Sequence, residues 1–426
     1  MKLRELVDLS GLQRPQLAGG ERRLARLHNL DDVRRAAVRR TPRPVFDYVE
    51  GGADGELSLG RNVAAFRDWE LIPLAPRDVS TVTTTTTLFG EGLSLPLLCG
   101  PTGYTRMIHQ DGELAVARAA ARAGVPYGLS TVASTSIEAV ASTGHRNLWF
   151  QLYVWRDREM TRSLVDRAWR AGYRVLEVSV DVPVAGMRTR DVRNGLTVPP
   201  KLTPRTLWSV ALKPGYWLAL VRNPMITFAN APPIVGHRAG RTIHNITLQF
   251  DPSVDLDDIA ELRSLWPGTL LVKGLLSPEA AVAAIAAGAD GVHLSNHGGR
   301  QLDRIVPPLV LLPEVRAAIG EEPAVIVDSG IRDGTDLAIA IALGADAGAI
   351  GRAYLYGLMA AGEPGVDLVL RLFAEQFGRA LALLGVVSVE ELRERGRSLL
   401  QRSGDRLGSA QQRPITDQPD SRLDLR

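Results

Sequence analysis

Cysteine is almost missing from this chain: Cys99 is the only one in 426 residues. An intrachain disulfide is therefore excluded, and so is a zinc site built from cysteines. The setting of Cys99 in the apolar run Leu95-Pro96-Leu97-Leu98-Cys99 points to a small core residue rather than a nucleophile. Long hydrophobic runs are missing too. No stretch reaches about 18 uncharged apolar residues, and the start, MKLRELVDLS, has no uninterrupted apolar segment of the kind that directs secretion. Neither secretion nor membrane spanning is expected, and a reducing, cytoplasmic setting fits. Lysine is scarce beside arginine, and the net charge is only +3. The basic clusters Arg34-Arg35 and Arg39-Arg40 fall at helical spacing, as a solvated helix face would, and no nucleic-acid partner is expected.

What is present is a 45% apolar fraction, enough for a large core, in a chain long enough for one decorated barrel. One short pattern recurs. Arg122-Ala123-Gly124, Arg170-Ala171-Gly172, Ala286-Ala287-Gly288 and Ala342-Leu343-Gly344 each precede an apolar, β-rich run. These are joints at which an alanine-rich helix ends on a glycine of positive φ and a strand follows. The strands read as LPLLCGP (95–101), VPYGLST (125–131), LWFQLYV (148–154), RVLEVSVD (174–181), LLVKG (270–274), GVHLS (291–295), AVIVDSG (324–330) and AGAIG (347–351). Near-continuous apolar strands separated by helices predict parallel strands buried on both faces, and eight of them close a (β/α)8 TIM barrel. The predicted organisation is an N-terminal helical segment over 1–82, the barrel over 83–395 with an insertion at 198–250 after the fourth strand, and a disordered tail over 401–426. Residues 83–98 read as a hairpin around Gly90-Glu91-Gly92 that leads into the barrel.

Polar residues collect at the C-terminal ends of the strands, the face on which this fold does its chemistry. There His297, followed by Gly298 and Gly299, offers an acid or base in a loop that lets a ligand come close. Arg300 adds a planar fork for a carboxylate or phosphate. Asp181 can balance an imidazolium at His297, and Arg188 supplies a second cation. Two arginines over one small pocket imply an anionic ligand, most simply a carboxylate. Asp328, Gly330 and Arg332, with Gly351 and Arg352, suit a phosphate-bearing cofactor. Lys273 suits either a Schiff base or a fixed charge beside a cofactor. The insertion's core, 202–233, sets Trp208, Tyr216 and Trp217 among Lys201, Arg205, Lys213 and Arg222. Such a mixture fits a membrane interface or, equally, a lid packed on protein.

The runs SNHGGRQLD, LVKG, FQLYV and DSGIRDG, with VFDYVEGGA near the front, resemble the FMN-dependent L-2-hydroxy acid oxidases and dehydrogenases. Over roughly residues 28–395, the resemblance is strongest to the membrane-associated mandelate and lactate dehydrogenase branch. It implies FMN as cofactor and oxidation of an L-2-hydroxy acid to the 2-oxo acid. His297 would be the base and Asp181 its partner. Arg188 and Arg300 would hold the substrate carboxylate, and Tyr48 and Tyr153 would hydrogen-bond the substrate. Thr102, Gly103, Ser130, Gln151, Ser179, Lys273 and Ser295 would contact the flavin, with Lys273 beside its N1. Asp328, Gly330, Arg332, Gly351 and Arg352 would hold the ribityl and phosphate groups. Val132 stands where glycolate-oxidising members carry a tryptophan, which leaves room for a larger substrate side chain.

The resemblance further implies a homotetramer, attachment through 202–233 to the inner face of the cytoplasmic membrane, and electron transfer to a quinone or electron-transfer chain. Three other readings compete: a soluble oxidase that makes peroxide from oxygen, a Schiff-base aldolase using Lys273, and a barrel without catalysis.

Overall fold

The computed structural model describes residues 23–195, 208–209, 211–216, 218, 228–230 and 248–404. The chain enters through helices Leu30–Arg40, Arg43–Glu50 and Leu57–Arg67, followed by strand β1 (Trp69–Leu71) and a hairpin of β2 (Thr86–Leu88) and β3 (Glu91–Leu93). Eight strands then follow: β4 (Leu97–Thr102), β5 (Tyr127–Ser130), β6 (Leu148–Leu152), β7 (Val175–Ser179), β8 (Thr269–Leu275), β9 (Gly291–Leu294), β10 (Ala324–Val327) and β11 (Ala347–Ile350). They pair in parallel and close on themselves, β11 against β4. The (β/α)8 barrel expected from the sequence is the fold. A last strand, β12 (Leu400–Arg402), runs antiparallel to β1.

The helix-to-strand joints are built as read: Gly124, Gly172, Gly288 and Gly344 have φ of 64°, 97°, 100° and 111°. The hairpin differs in detail. Its turn is Phe89-Gly90, both at positive φ (52° and 78°), while Glu91 and Gly92 belong to β3. Two consecutive positive-φ residues match the twist of a two-residue hairpin, and Gly90 satisfies that demand as well as Gly92 would. Leu88, Phe89 and Leu93 pack on Leu98, Trp149, Val175 and Leu271, so the hairpin plugs the end of the barrel opposite the strand C-termini. Each large apolar side chain buried there contributes about 1.5–3 kcal/mol.

Cys99 is buried, and burial pushes its thiol up to about 12, as a core residue requires. Gln401 and Arg402, expected to open the tail, instead pair with Glu70 and Trp69. The remainder of that tail, 405–426, lies outside the described residues, as does most of the insertion. Among the described residues no single helix is long and apolar enough to cross a membrane.

Candidate active site

Beyond β9 the chain passes through three successive left-handed residues: His297 (φ 57°), Gly298 (67°) and Gly299 (71°). The two glycines are required twice over. A Cβ on Gly298 would lie 2.4 Å from Arg352 Nη1, and one on Gly299 would lie 2.7 Å from the Leu59 nitrogen. His297 itself has a Cβ, so its conformation costs roughly 1–2 kcal/mol and must be held. Its N–H donates to Ser295 Oγ (3.0 Å), and Ser329 Oγ accepts from Gly298 (2.9 Å). The ring's Nδ1 lies 3.0 Å from Asp181 Oδ2. Burial alone would raise the Asp181 carboxyl, but His297 and, behind it, Lys273 outweigh burial and hold it below the usual carboxylate range. With Nδ1 donating to that carboxylate, Nε2 is the nitrogen left to take a proton.

His297 faces a cavity with about 1340 Å³ of empty space, its open mouth included. Every residue expected at the site lines this cavity except Asp181 and Ser295, each one layer back. Asp181 acts on His297. Ser295 Oγ accepts from Lys273 Nζ at 2.5 Å as well as from the His297 N–H. Lys273 also reaches Asp328 Oδ2 at 3.1 Å. Burial works against the ammonium, yet Asp328 and Asp181 prevail and raise its pKa above the ordinary lysine value. A Schiff-base amine needs the opposite shift, so this pairing favours the fixed-charge reading of Lys273 over the aldolase one. Along the adjoining wall, Ser130 Oγ donates to Gln151 Oε1 (2.9 Å) and Gln151 Nε2 donates to Ser179 Oγ (3.0 Å). These side chains from β5, β6 and β7 form a polar row that suits the edge of a flat heterocycle.

Two arginines line the cavity together with His297. Arg300 is half-buried, with its guanidinium 5.1 Å from the Tyr48 ring centroid and Nη1 donating to the carbonyls of Tyr48 (2.7 Å) and Gly51 (3.1 Å). Burial, with Arg188 adding repulsion, lowers its pKa to about 10. Among the described residues, buried Arg188 Nε has no hydrogen-bond partner, and neither has Asp181 Oδ1. Orphaned buried donors and acceptors are rare, and Arg188 lines the cavity, where a polar ligand would complete its donor. Tyr153 is buried against Phe250 in a stacked pair 4.5 Å apart, and burial pushes its phenol far up.

At the far end, Gly330, Arg332, Gly351 and Arg352 line the cavity. The helix Arg352–Ala361 begins there with no side-chain cap, leaving N–H groups for an anion. Arg352 is largely engaged by protein. Its Nε, Nη1 and Nη2 donate to the carbonyls of Val49 (2.9 Å), Gly298 (2.9 Å) and Gly51 (2.8 Å), stapling the N-terminal helices to the His297 loop. Val132 packs on Gly103, where a Cβ would lie 2.4 Å from Val132 Cγ2.

Several residues at the site had no individual signal in the sequence. Asn62 and Asn296 exchange amide hydrogen bonds of 2.8 and 2.6 Å, both buried, and tie the helix Leu57–Arg67 to the loop. Asp303, the last letter of SNHGGRQLD, accepts from the N–H groups of Gly55 (3.1 Å) and Ser58 (2.8 Å), capping that helix from a distant loop. Phe228 within the insertion and Phe250 at its C-terminal end close one cavity wall, with Phe228 stacked on Tyr104 at 4.9 Å. Aromatic content had marked the insertion, but not these two positions.

The family model for FMN-dependent dehydrogenases matches residues 37–400. The chain belongs to the FMN-dependent dehydrogenase family. Among its curated relatives, an L-lactate dehydrogenase of Caulobacter vibrioides is 42% identical over 366 residues, 85% of this chain and 95% of the relative. The (S)-mandelate dehydrogenase of Pseudomonas putida is 41% identical over 366 residues, covering 86% and 92%. Among solved structures, one described as monotopic membrane protein (S)-mandelate dehydrogenase superposes with a TM-score of 0.85 at 40% identity, covering 89% of this chain and all of the other. A mandelate oxidase superposes with a TM-score of 0.76 at 37% identity, covering 88% and 98%. The cofactor of the FMN-dependent dehydrogenases is FMN, and the cavity fits it: a polar row and a fixed ammonium at one end, and an uncapped helix N-terminus with arginines at the other.

Proposed function

We propose that the chain oxidises an L-2-hydroxy acid to the 2-oxo acid, with His297 as the base. The observation that carries this reading is the unpartnered Arg188 Nε beside Arg300, over a histidine already paired with a buried carboxylate. A substrate carboxylate would satisfy the donor and balance the two cations. It would also bring C2 and its hydroxyl to His297 Nε2.

In the reaction the substrate gives up two electrons and two hydrogens. His297 Nε2 receives one hydrogen as a proton, and Asp181 stabilises the imidazolium that forms. Tyr48 and Tyr153 orient the hydroxyl and carboxylate. FMN, when bound, supplies the two-electron acceptor that no side chain provides. Ser130, Gln151, Ser179, Thr102, Gly103 and Lys273 would hold its ring, with Lys273 favouring the added negative charge. Asp328, Gly330, Arg332, Gly351 and Arg352 would hold the ribityl chain and phosphate. Aromatic walls at Tyr104, Phe228 and Phe250, with a small Val132, favour a substrate with a sizeable side chain.

The solved relative described as a monotopic membrane protein supports peripheral attachment to a membrane, where a quinone would be within reach as acceptor. Trp208, Leu212 and Leu218 of the insertion, 69%, 60% and 42% exposed, are side chains an interface would bury.

His297→Ala tests the assignment. Anaerobic reduction of the flavin by substrate should slow by about 10²–10⁴-fold while FMN stays bound. An unchanged rate would contradict it.

A further inference from the structure

Inside the barrel, beneath the cavity floor, two buried titratable side chains take no part in the reaction above. Glu177 sits on β7 two residues before Ser179, about 7 Å along the strand. His293 on β9 pairs in register with Lys273 of β8. Glu177 is 1% exposed and His293 is fully buried, and neither lines the cavity. His293 Nδ1 lies 2.5 Å from Glu177 Oε1. Its Nε2 lies 3.3 Å from Asp328 Oδ2, at ion-pair distance but without the alignment of a hydrogen bond. Asp328 Oδ2 is the oxygen that also holds Lys273 Nζ.

A buried acid and imidazole are a poor way to fill a barrel, because two aliphatic side chains would do so without desolvating charge. The arrangement has an electrostatic consequence instead. The charged groups around His293 are Glu177, Asp328 and Lys273. Burial disfavours the imidazolium and Lys273 repels it, but the two carboxylates prevail and raise the His293 pKa above the ordinary histidine value. Asp328 is then shared by two cations and cannot cancel Lys273 alone. Lys273, His293 and Asp328 together leave a positive charge at the cavity floor, faced by Glu177 a layer deeper and by Asp181, which is also paired with His297.

We propose that Glu177 and His293 are positioning residues for the redox reaction: Glu177 holds His293 as an imidazolium, and the charge at His293 frees part of the Lys273 charge to favour the reduced state of FMN. The inference rests on the placement of Lys273 at the flavin ring given above.

The test is the two-electron midpoint potential of the bound flavin, measured in the holoenzyme and in three variants. In His293→Gln the equilibrium constant for flavin reduction should fall tenfold or more, about 30 mV for a two-electron couple. Glu177→Val/His293→Val leaves no unpaired buried charge and so spares the fold. It should shift the potential in the same direction by about threefold, near ~14 mV. Lys273→Met separates the proposal from its premise. If that variant lowers the potential while both His293 variants leave it unmoved, the pair is merely structural and the proposal falls. If none of the three moves it, the placement of Lys273 falls as well. A measurement on the unaltered holoenzyme stands apart from any variant's ability to hold FMN. With ¹⁵N-labelled histidine, a buried imidazole in contact with Glu177 should remain doubly protonated just above the pH at which an ordinary histidine has lost its proton, and a neutral His293 there overturns the proposal.

Discussion

At the scale of the residue, position on the barrel decides what a side chain can do. His297 and Arg300 were legible because they follow an apolar strand directly and carry side-chain types with few structural uses at a strand end. Glu177 and His293 were not. A lone polar residue inside an apolar strand does not declare which face it occupies, and only the register of β7, β8 and β9 shows that both point inward. Asp336 has the same opacity. Its carboxyl accepts from the Arg332 N–H at 2.7 Å, and burial, with the Asp333 carboxylate adding repulsion, raises its pKa to about 7. A folded value above the unfolded 3.8 means that its stabilising contribution is whole below about pH 4 and is lost as pH rises through about 7. Asp336→Asn keeps an acceptor for Arg332 and removes the titration. Its stability advantage over the parent should grow by roughly 1–3 kcal/mol between about pH 5 and pH 8, and thermal melts that run parallel at both pH values would refute this. Val132→Trp tests the substrate pocket. Turnover of mandelate should drop at least about tenfold relative to lactate, since a bulky ring beside Gly103 takes the space a phenyl group needs, and kcat/KM for the two acids decides it.

At the scale of the element, the helix Leu57–Arg67 shows how a distant segment comes to serve the site. Its N-terminus has no cap of its own, because Glu56 is left-handed and makes no side-chain cap bond. Asp303 does the capping, and Asn62 locks the helix to Asn296. No local pattern announces a cap that arrives from about 245 residues away, as the Ser58–Asp303 bond does. Asp303→Ala should cost about 1–2 kcal/mol, read as a lowered melting temperature with faster amide exchange at Gly55 and Ser58. A variant that melts like the parent would show that the cap is dispensable. The insertion is the second element with a separable role. Replacing its exposed Trp208, Leu212 and Leu218 with serine, which leaves Phe228 and Phe250 in the cavity wall, should release the enzyme from membranes and leave reduction of a soluble dye intact, and membrane binding that survives the replacement would place attachment elsewhere.

At the scale of the whole molecule, the barrel was readable because one joint recurs: an alanine-rich helix, a glycine, then an apolar run. The helix-to-strand glycines carry that repeat, and counting the strands closes the ring. What was unreadable depends on chain ends meeting. The three-residue strands β1 and β12 pair Trp69 with Arg402, and neither has a pattern long enough to stand out. The hairpin that plugs the barrel was visible as a hairpin, but its turn residues were misplaced because Phe89 at positive φ is uncommon for a bulky side chain. The site drew on both kinds of information. Residues at strand ends were found from the fold, whereas the helices that lay Tyr48 over Arg300, and the aromatics that return from the insertion, depend on tertiary packing.

The central claim, that this cavity passes electrons from an L-2-hydroxy acid to FMN, is tested most directly by mixing the purified holoenzyme without oxygen with L-mandelate, L-lactate and their D enantiomers while following the flavin's visible absorbance. The account predicts rapid bleaching by an L acid and none by its mirror image. A flavin that stays yellow with both L acids, or that bleaches equally with either hand, would contradict it.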